Sequence, residues 1–136
     1  MIAAIDMTDP ALVMGHASID EQHRALVGMI EELDERMARG EFGQGVLDAI
    51  QGMMAYAATH FDDEESLMRE AEWPNQAEHR AMHAEFMQKT GGFFEDAPAD
   101  SEWTSLDVLR FLLHWLLKHI KIEDRRFFDW LTERSA

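Results

Sequence analysis

The chain has 136 residues, the length of one ordinary domain, and a domain of this size folds without a disulfide or a structural metal. It contains no cysteine, which excludes disulfides, thiolate metal sites and cysteine nucleophiles. Its 12 basic and 27 acidic residues give a net charge of -15, which disfavours nucleic acid and anionic membrane surfaces as partners.

The amino-terminal region does not resemble a secretory signal, because residues 1–10 contain Asp6 and Asp9 but no cationic residue. The most apolar stretch, residues 108–120, is interrupted by Arg110 and Lys118 and is too short to cross a bilayer. We therefore expect a soluble, cytoplasmic protein that binds neither membranes nor nucleic acid.

Good helix formers dominate the sequence and no segment alternates with a period of two, which predicts an all-α protein. The first helix is predicted to begin at Ser18, where Glu21 completes a capping box, and to end before Gly40. Its apolar stripe comprises Leu26, Val27, Ile30, Leu33 and Met37.

The next two helices are bounded by proline and glycine. The second is predicted over residues 45–71, because Pro74 prevents further continuation. The third is predicted over residues 76–90, and the Gly91-Gly92 pair is expected to loosen it.

Residues 95–101 are predicted to form a connection, and a fourth amphipathic helix is predicted from about Trp103 to the carboxyl end. Four such helices with short connections predict an up-down-up-down four-helix bundle. We expect a monomer with a single domain over residues 1–136, made of a short N-terminal extension over about residues 1–17 and the bundle over about 18–134.

Five of the seven histidines fall on predicted apolar helix faces. His23 lies on the stripe of the first helix. The pair His60 and Glu64 and the pair His79 and His83 are each four residues apart, so the members of each pair share a face.

The fourth helix contributes His119 and Asp124, which are five residues apart. Five residues along a regular helix rotate by about 140°, so these two side chains should not share a face. Either the helix is locally distorted there, or the carboxylate reaches a second metal from a different angle.

Neighbouring helices of such a bundle are antiparallel, so all these groups are predicted to lie near one end of it. Buried ionisable groups cost several kcal/mol unless they are paired or bind a metal, so we predict a metal centre. The predicted ligands are His23, His60, Glu64, His79, His83, His119 and Asp124. The remaining histidines, His16 and His114, are interpreted as ordinary surface or packing residues.

Five imidazoles and two carboxylates exceed what one tetrahedral ion can use, which favours two octahedral ions. If both carboxylates and a solvent oxygen bridge the ions, a single coordination position stays open. Such a position suits a small diatomic ligand.

Four segments, taken in order, resemble the hemerythrin family, in particular its single-domain bacterial members. They are Ile19-Asp20-Glu21-Gln22-His23, His60-Phe61-Asp62-Asp63-Glu64-Glu65, His79-x-x-x-His83, and Trp115-Leu116-Leu117-Lys118-His119-Ile120 with Asp124. The family shows the same five-residue gap before its last carboxylate.

The resemblance implies two iron ions, joined by Glu64, Asp124 and an oxo or hydroxo group. It implies that His79, His83 and His119 hold one iron, whereas His23 and His60 hold the other, at which dioxygen binds. The family's ligand pocket falls on Leu26, Phe61, Trp115, Leu116 and Ile120.

The function implied by the resemblance is reversible dioxygen binding without turnover, in a carrier, store or sensor, with nitric oxide or small anions as further ligands. The alternative is a di-iron oxidoreductase acting on nitric oxide or peroxide. The only tyrosine, Tyr56, precedes His60 by four residues and is a weak candidate for an acid in such an enzyme.

Overall fold

A computed structural model describes residues 9–41, 44–96 and 102–135, and within these ranges the chain contains helices and no strand. The helices are α1 (Ala17–Ala38), α2 (Gln44–Ala71), α3 (Gln76–Asp96), α4 (Glu102–Lys118) and α5 (Arg125–Ser135), with a 3-10 turn at Pro10–Leu12 and a π-helical turn at His119–Asp124. Since the π-helical turn, hereafter the π turn, joins α4 directly to α5, these three form the fourth rod of the bundle.

The rods pack as an antiparallel four-helix bundle, in which consecutive helices are neighbours and α1 also packs against α4. The predicted stripe of α1 is buried along its whole length, from Leu26 to Met37. Large aromatic side chains, including Phe86 and Phe127, fill the space between the rods. The all-α four-helix prediction is therefore confirmed. No helix among the described residues is both long enough and apolar enough to span a bilayer.

The predicted capping box at Ser18 is wrong. Helix α1 begins at Ala17, and its N-cap is His16, whose Nδ1 accepts a hydrogen bond from the Ile19 N–H at 3.3 Å. Because Ser, Thr, Asp and Asn are the usual N-caps, sequence reasoning favoured the serine over the imidazole. His16, interpreted as an ordinary surface or packing residue, in fact caps the helix.

Helix α1 ends in a Schellman motif at Gly40. The Gly40 N–H donates to the Met37 carbonyl at 3.0 Å and the Glu41 N–H to the Arg36 carbonyl at 2.9 Å. Gly40 has φ +81°, a left-handed conformation that other residues adopt at a cost.

We expect opposite effects of alanine at two glycines of this region. Gly40→Ala should lower the free energy of unfolding by about 1 kcal/mol, because the left-handed conformation strains a side chain. Gly28→Ala lies inside α1 with no atom within 4 Å of the new Cβ, so it should raise that free energy by about 0.5–1 kcal/mol. Urea unfolding followed by circular dichroism measures both, and a stabilising Gly40→Ala would contradict the expectation.

The predicted end of the third helix at Gly91-Gly92 is wrong, because α3 continues through both glycines to Asp96. Each glycine lowers helix propensity by about 1 kcal/mol, and packing against the bundle offsets that amount because both are half-buried. The predicted connection at 95–101 is shorter at its start, and residues 97–101 of it lie outside the described residues.

The π turn accounts for the five-residue gap between His119 and Asp124. Its hydrogen bonds run between residues five apart instead of four, so residues separated by five positions come to lie one turn apart on the same face. Of the two explanations left open by the sequence, the structure shows the local distortion.

Candidate metal centre

The structure brings the seven side chains predicted as metal ligands together at one end of the bundle, and all of them are buried. They come from α1, α2, α3 and the π turn. None is more than 3 % exposed. Five imidazoles and two carboxylates therefore occupy a volume from which water is excluded.

The cluster divides into two groups of potential ligand atoms, and the atoms of each group lie within 4.8 Å of one another. One group is Glu64, His79, His83, His119 and Asp124, and the other is His23, His60, Glu64 and Asp124. Both carboxylates belong to both groups. The arrangement therefore suits two cations that share two bridging carboxylates, with three imidazoles on one side and two on the other.

Glu64 lies at the centre of the cluster. Its Oε1 is 2.7 Å from Nε2 of His79 and 3.2 Å from Nε2 of His83. Its Oε2 is 3.3 Å from Nε2 of His60 and 3.8 Å from that of His23. Each carboxylate oxygen thus faces a different group of imidazoles.

Asp124 faces the cluster from the π turn. Its Oδ1 is 3.0 Å from Nε2 of both His79 and His119, and its Oδ2 is 3.0 Å from Nε2 of His23. Because the π turn places Asp124 on the same face as His119, one carboxylate contacts imidazoles of three different helical elements.

The two carboxylates change the pKa values of the surrounding imidazoles. Burial alone would lower the pKa of His23, but the carboxylates of Asp124 and Glu64 outweigh burial and raise it to about 9. For the same reasons, the pKa of His119 is raised to about 10 and that of His79 is raised. The metal-free cluster therefore holds protons on His23 and His119 at neutral pH.

The carboxylates show the reverse effect. Burial favours the neutral form of Glu64, but the imidazoles of His119, His23 and His60 outweigh burial and hold its pKa well below the usual range. The pKa of Asp124 is lowered too, although its burial and the charge of Glu64 oppose this change. Two buried carboxylates stay ionised, so the cluster requires positive charge, from protons or from metal ions.

Several atoms of the cluster have no adequate partner among the described residues. Glu64 Oε2 and both carboxylate oxygens of Asp124 are buried without a hydrogen-bond donor in suitable geometry. Nε2 of His83 and Nε2 of His119 face each other at 2.9 Å, where only one of them can donate. Nitrogen and oxygen lone pairs directed at one volume fit divalent iron or a similar cation.

Comparison with known proteins agrees with this geometry. The profile of the Hemerythrin HHE cation binding domain matches residues 14–131 of the chain. The chain belongs to the hemerythrin family. It is 32 % identical to a bacteriohemerythrin of Stenotrophomonas maltophilia over 125 residues, which cover 87 % of this chain and 76 % of that protein.

Other hemerythrins are similar over comparable lengths. A bacteriohemerythrin of Pseudomonas aeruginosa is 29 % identical over 112 residues, covering 82 % of this chain and 71 % of that protein. Myohemerythrin-1 of Phascolopsis gouldii is 27 % identical over 112 residues, covering 79 % and 88 %. Family membership and the buried cluster together assign this chain a metal-binding function of the hemerythrin type.

The five predicted pocket residues of this hemerythrin lie in or beside the core. Leu26, Phe61, Leu116 and Ile120 are buried, whereas Trp115 is half-buried. The two aromatic residues of this set contact the cluster directly. The Phe61 ring stacks on His83 with centroids 3.9 Å apart, and the Trp115 ring stacks on His119 at 4.4 Å. The imidazoles are therefore fixed by aromatic packing as well as by polar contacts.

Sequence reasoning missed two polar residues that orient the imidazoles from outside. Nδ1 of His60 is 2.6 Å from Oε1 of Gln22, whose amide in turn donates to Asp63 at 2.8 Å. Nδ1 of His83 is 2.8 Å from Oε2 of Glu65. Bonds of this kind fix the tautomer and ring orientation of a ligating histidine. Their positions, directly beside His23 and Glu64, are the only signal the sequence offered.

Two other residues considered in the sequence analysis, His114 and Tyr56, are not part of the cluster. His114 is exposed on α4, as expected for a surface residue. Tyr56 is half-buried on α2, and its pKa is raised by burial and by the charges of Glu21 and Asp63. These acidic residues belong to the outer surface of α1 and α2, so Tyr56 faces that surface.

Proposed function

We propose that this hemerythrin binds dioxygen reversibly at a pair of iron ions. The observation that supports this most directly is the division of seven buried ligand groups into a three-histidine set and a two-histidine set around two shared carboxylates. With unequal sets, the ion held by fewer imidazoles would keep a coordination position for a small molecule. When bound, the two ions supply that position and two electrons.

In this proposal His79, His83 and His119 would hold one ion, and His23 and His60 would hold the other. Glu64 and Asp124 would supply carboxylate oxygens to both ions, and an oxo or hydroxo group would complete the centre. The Nδ1 contacts of His60 with Gln22 and of His83 with Glu65 keep the Nε2 atoms directed inward.

The apolar residues around the cluster exclude water. Reversible binding requires that neither water nor a proton displaces the reduced ligand before it leaves. Leu26, Phe61, Leu116 and Ile120 are each less than 5 % exposed, and Trp115 closes the side next to His119. These side chains hold no group that donates a proton to oxygen, apart from the Trp115 indole.

The competing proposal, a di-iron oxidoreductase acting on nitric oxide or peroxide, needs an acid or base at the reacting atoms. Tyr56 is its candidate, and its environment of surface carboxylates argues against that role. The carrier, store or sensor function without turnover is therefore the one we propose, with dioxygen as the ligand and nitric oxide or small anions as competitors.

Anaerobically reduced, iron-loaded protein should be nearly colourless and gain a visible charge-transfer band on exposure to air. Removal of oxygen should abolish that band again over repeated cycles. Tyr56→Phe should behave identically, because the hydroxyl of Tyr56 lies among the surface carboxylates of Glu21 and Asp63. Immediate irreversible oxidation without an adduct would contradict the proposal, and peroxide or nitric oxide consumption that Tyr56→Phe abolishes would favour the enzyme.

A further inference from the structure

The segment that precedes α1, which we call the arm (residues 9–16), is fastened to α1 by Asp20. The Met14 N–H donates to one carboxylate oxygen of Asp20 at 2.7 Å, and the Gly15 N–H donates to the other at 3.1 Å. The Asp20 side chain is buried, and so is the neighbouring Leu12 of the arm. Charge-assisted bonds in a buried setting are among the strongest hydrogen bonds of a protein, so the arm has a fixed position on α1.

The opposite side of the arm is fastened to the fourth rod by Arg125. Its guanidinium donates to the carbonyl of Pro10 and, at 2.9 Å, to the carbonyl of Val13. The side chain is 28 % exposed, and its two exposed hydrogen bonds join the fourth rod directly to the backbone of the arm. An ion pair of Lys121 with Asp9 at 3.8 Å adds a second contact between the π turn and the arm.

These two attachments flank the point where α1 meets the π turn. Asp20 precedes His23 by one helical turn, and Arg125 follows Asp124 directly. His23 Nε2 and Asp124 Oδ2 lie 3.0 Å apart. The arm therefore connects the backbone beside one of these cluster residues to the backbone beside the other.

A π turn needs support from its surroundings, since π-helical hydrogen bonding is rare and is kept mainly where it serves a site. The π turn here ends where the Arg125 N–H bonds the Ile122 carbonyl, only three residues back. The backbone thus tightens immediately after Asp124, at the residue whose side chain holds the arm.

We propose that Arg125 and Asp20 are positioning residues of the metal centre. Through the arm they fix the separation of α1 and the π turn, and with it the position of the Asp124 carboxylate relative to His23. This inference rests on the proposed function, because it assigns these residues a role toward the ions that Asp124 and His23 would bind.

A purely structural role makes a different prediction. If the arm only covered the core, loss of the Arg125 bonds would lower stability but leave the coordination of bound metal unchanged. A spectroscopic readout of coordination therefore separates the two roles, and cobalt(II) is a suitable probe because its visible absorption reports ligand number and geometry.

The test compares Arg125→Gln with Arg126→Gln in the full chain loaded with cobalt(II). Arg126 is the matched control, because its guanidinium is exposed and pairs only with Glu123, at 3.5 Å, among the described residues. Arg125→Gln should shift the visible spectrum and speed metal release to excess chelator by about 10- to 100-fold. Arg126→Gln should leave both the visible spectrum and the rate of metal release unchanged. An Arg125→Gln protein indistinguishable from Arg126→Gln would overturn the proposal.

Two further variants test the same connection from its other end. Asp20→Asn, which can accept only one of the two arm N–H bonds, should shift the spectrum in the same direction. The double variant of Asp20 and Arg125 should release metal about as fast as the faster of the two single variants, because both changes break the same connection through the arm. A rate equal to the product of the two single effects would mean that the two residues act independently. Arg125→Lys, which keeps a cationic donor, should restore part of the wild-type spectrum.

Hydrogen exchange on the metal-free protein provides a readout that does not depend on metal. Arg125→Gln should speed exchange at the amides of Met14, Gly15 and residues 119–125, while circular dichroism shows the helices intact. Unchanged exchange in all of these amides would refute the positioning role. A wild-type chain that binds no cobalt or iron would instead contradict the proposed function, while the exchange result would still decide whether the arm holds the π turn.

Discussion

Glu64→Gln should abolish the binding of both metal ions, whereas the same substitution at the next residue, Glu65→Gln, should leave two ions per chain. Glu64 presents an oxygen to each imidazole group, and its amide analogue has only one oxygen and no charge. Removal of one partner from a buried charge cluster costs about 3–5 kcal/mol, which corresponds to a loss of affinity of about 150- to 4,000-fold.

Glu65 provides a matched control because it contacts the cluster only through Nδ1 of His83. Its loss should weaken metal binding by about 10- to 100-fold without removing a ligand. Metal content after gel filtration, together with titration against a competing chelator, measures both variants. Two tightly held irons in Glu64→Gln would show that this carboxylate does not bridge the ions.

The convergence of the seven side chains followed from the sequence because it depends on simple helical geometry. Spacings of four placed His60 with Glu64 and His79 with His83 on single faces. Antiparallel packing then brought these faces to one end of the bundle. Apolar periodicity predicted the helices, and the helix positions predicted the cluster. Neither step depended on the conformations of the loops.

The parts that sequence reasoning missed depend on tertiary contacts. The five-residue gap between His119 and Asp124 pointed to a local distortion as one of two explanations, but it did not identify that distortion as a π turn. The His16 cap depends on a ring nitrogen that lies within reach of the Ile19 N–H. The contacts of Gln22 and Glu65 with histidines of other helices arise only once the bundle has formed.

The metal-free protein should be most stable in mildly acidic solution and lose stability as the pH rises toward 9–10. In the folded state the pKa of His23 is raised from 6.5 to about 9, so its stabilising contribution is complete below pH 6.5 and disappears as the pH rises through 9. This shift corresponds to on the order of 3 kcal/mol from His23 alone. The lowered pKa values of Glu64 and Asp124 act oppositely and cause a loss of stability as the pH falls below the usual carboxyl range.

Urea unfolding of metal-free protein at pH 6 and pH 9 measures this dependence. His23→Gln should flatten the decline between these two values, because it removes one of the groups that titrates there. His114→Gln, which alters an exposed side chain outside the cluster, should reproduce the wild-type curve. A free energy of unfolding that increases from pH 6 to pH 9 in metal-free protein would contradict the raised pKa of His23.

Metal ions should reverse this pH dependence, because an imidazole must lose its proton before its nitrogen can bind a cation. At pH 6 the cations compete with protons held on His23 and His119, whereas near pH 9 to 10 these protons dissociate even without metal. Saturation at about 100 to 1,000 times the dissociation constant stabilises a protein by about 2.7–4.1 kcal/mol per site, so the gain from metal should be large and should increase with pH. The midpoints of urea unfolding with and without metal should therefore diverge from pH 6 to pH 9, and binding at pH 7 should release protons into the buffer. If the two midpoints differ by the same amount at both pH values and no proton is released, the metal does not bind at these imidazoles.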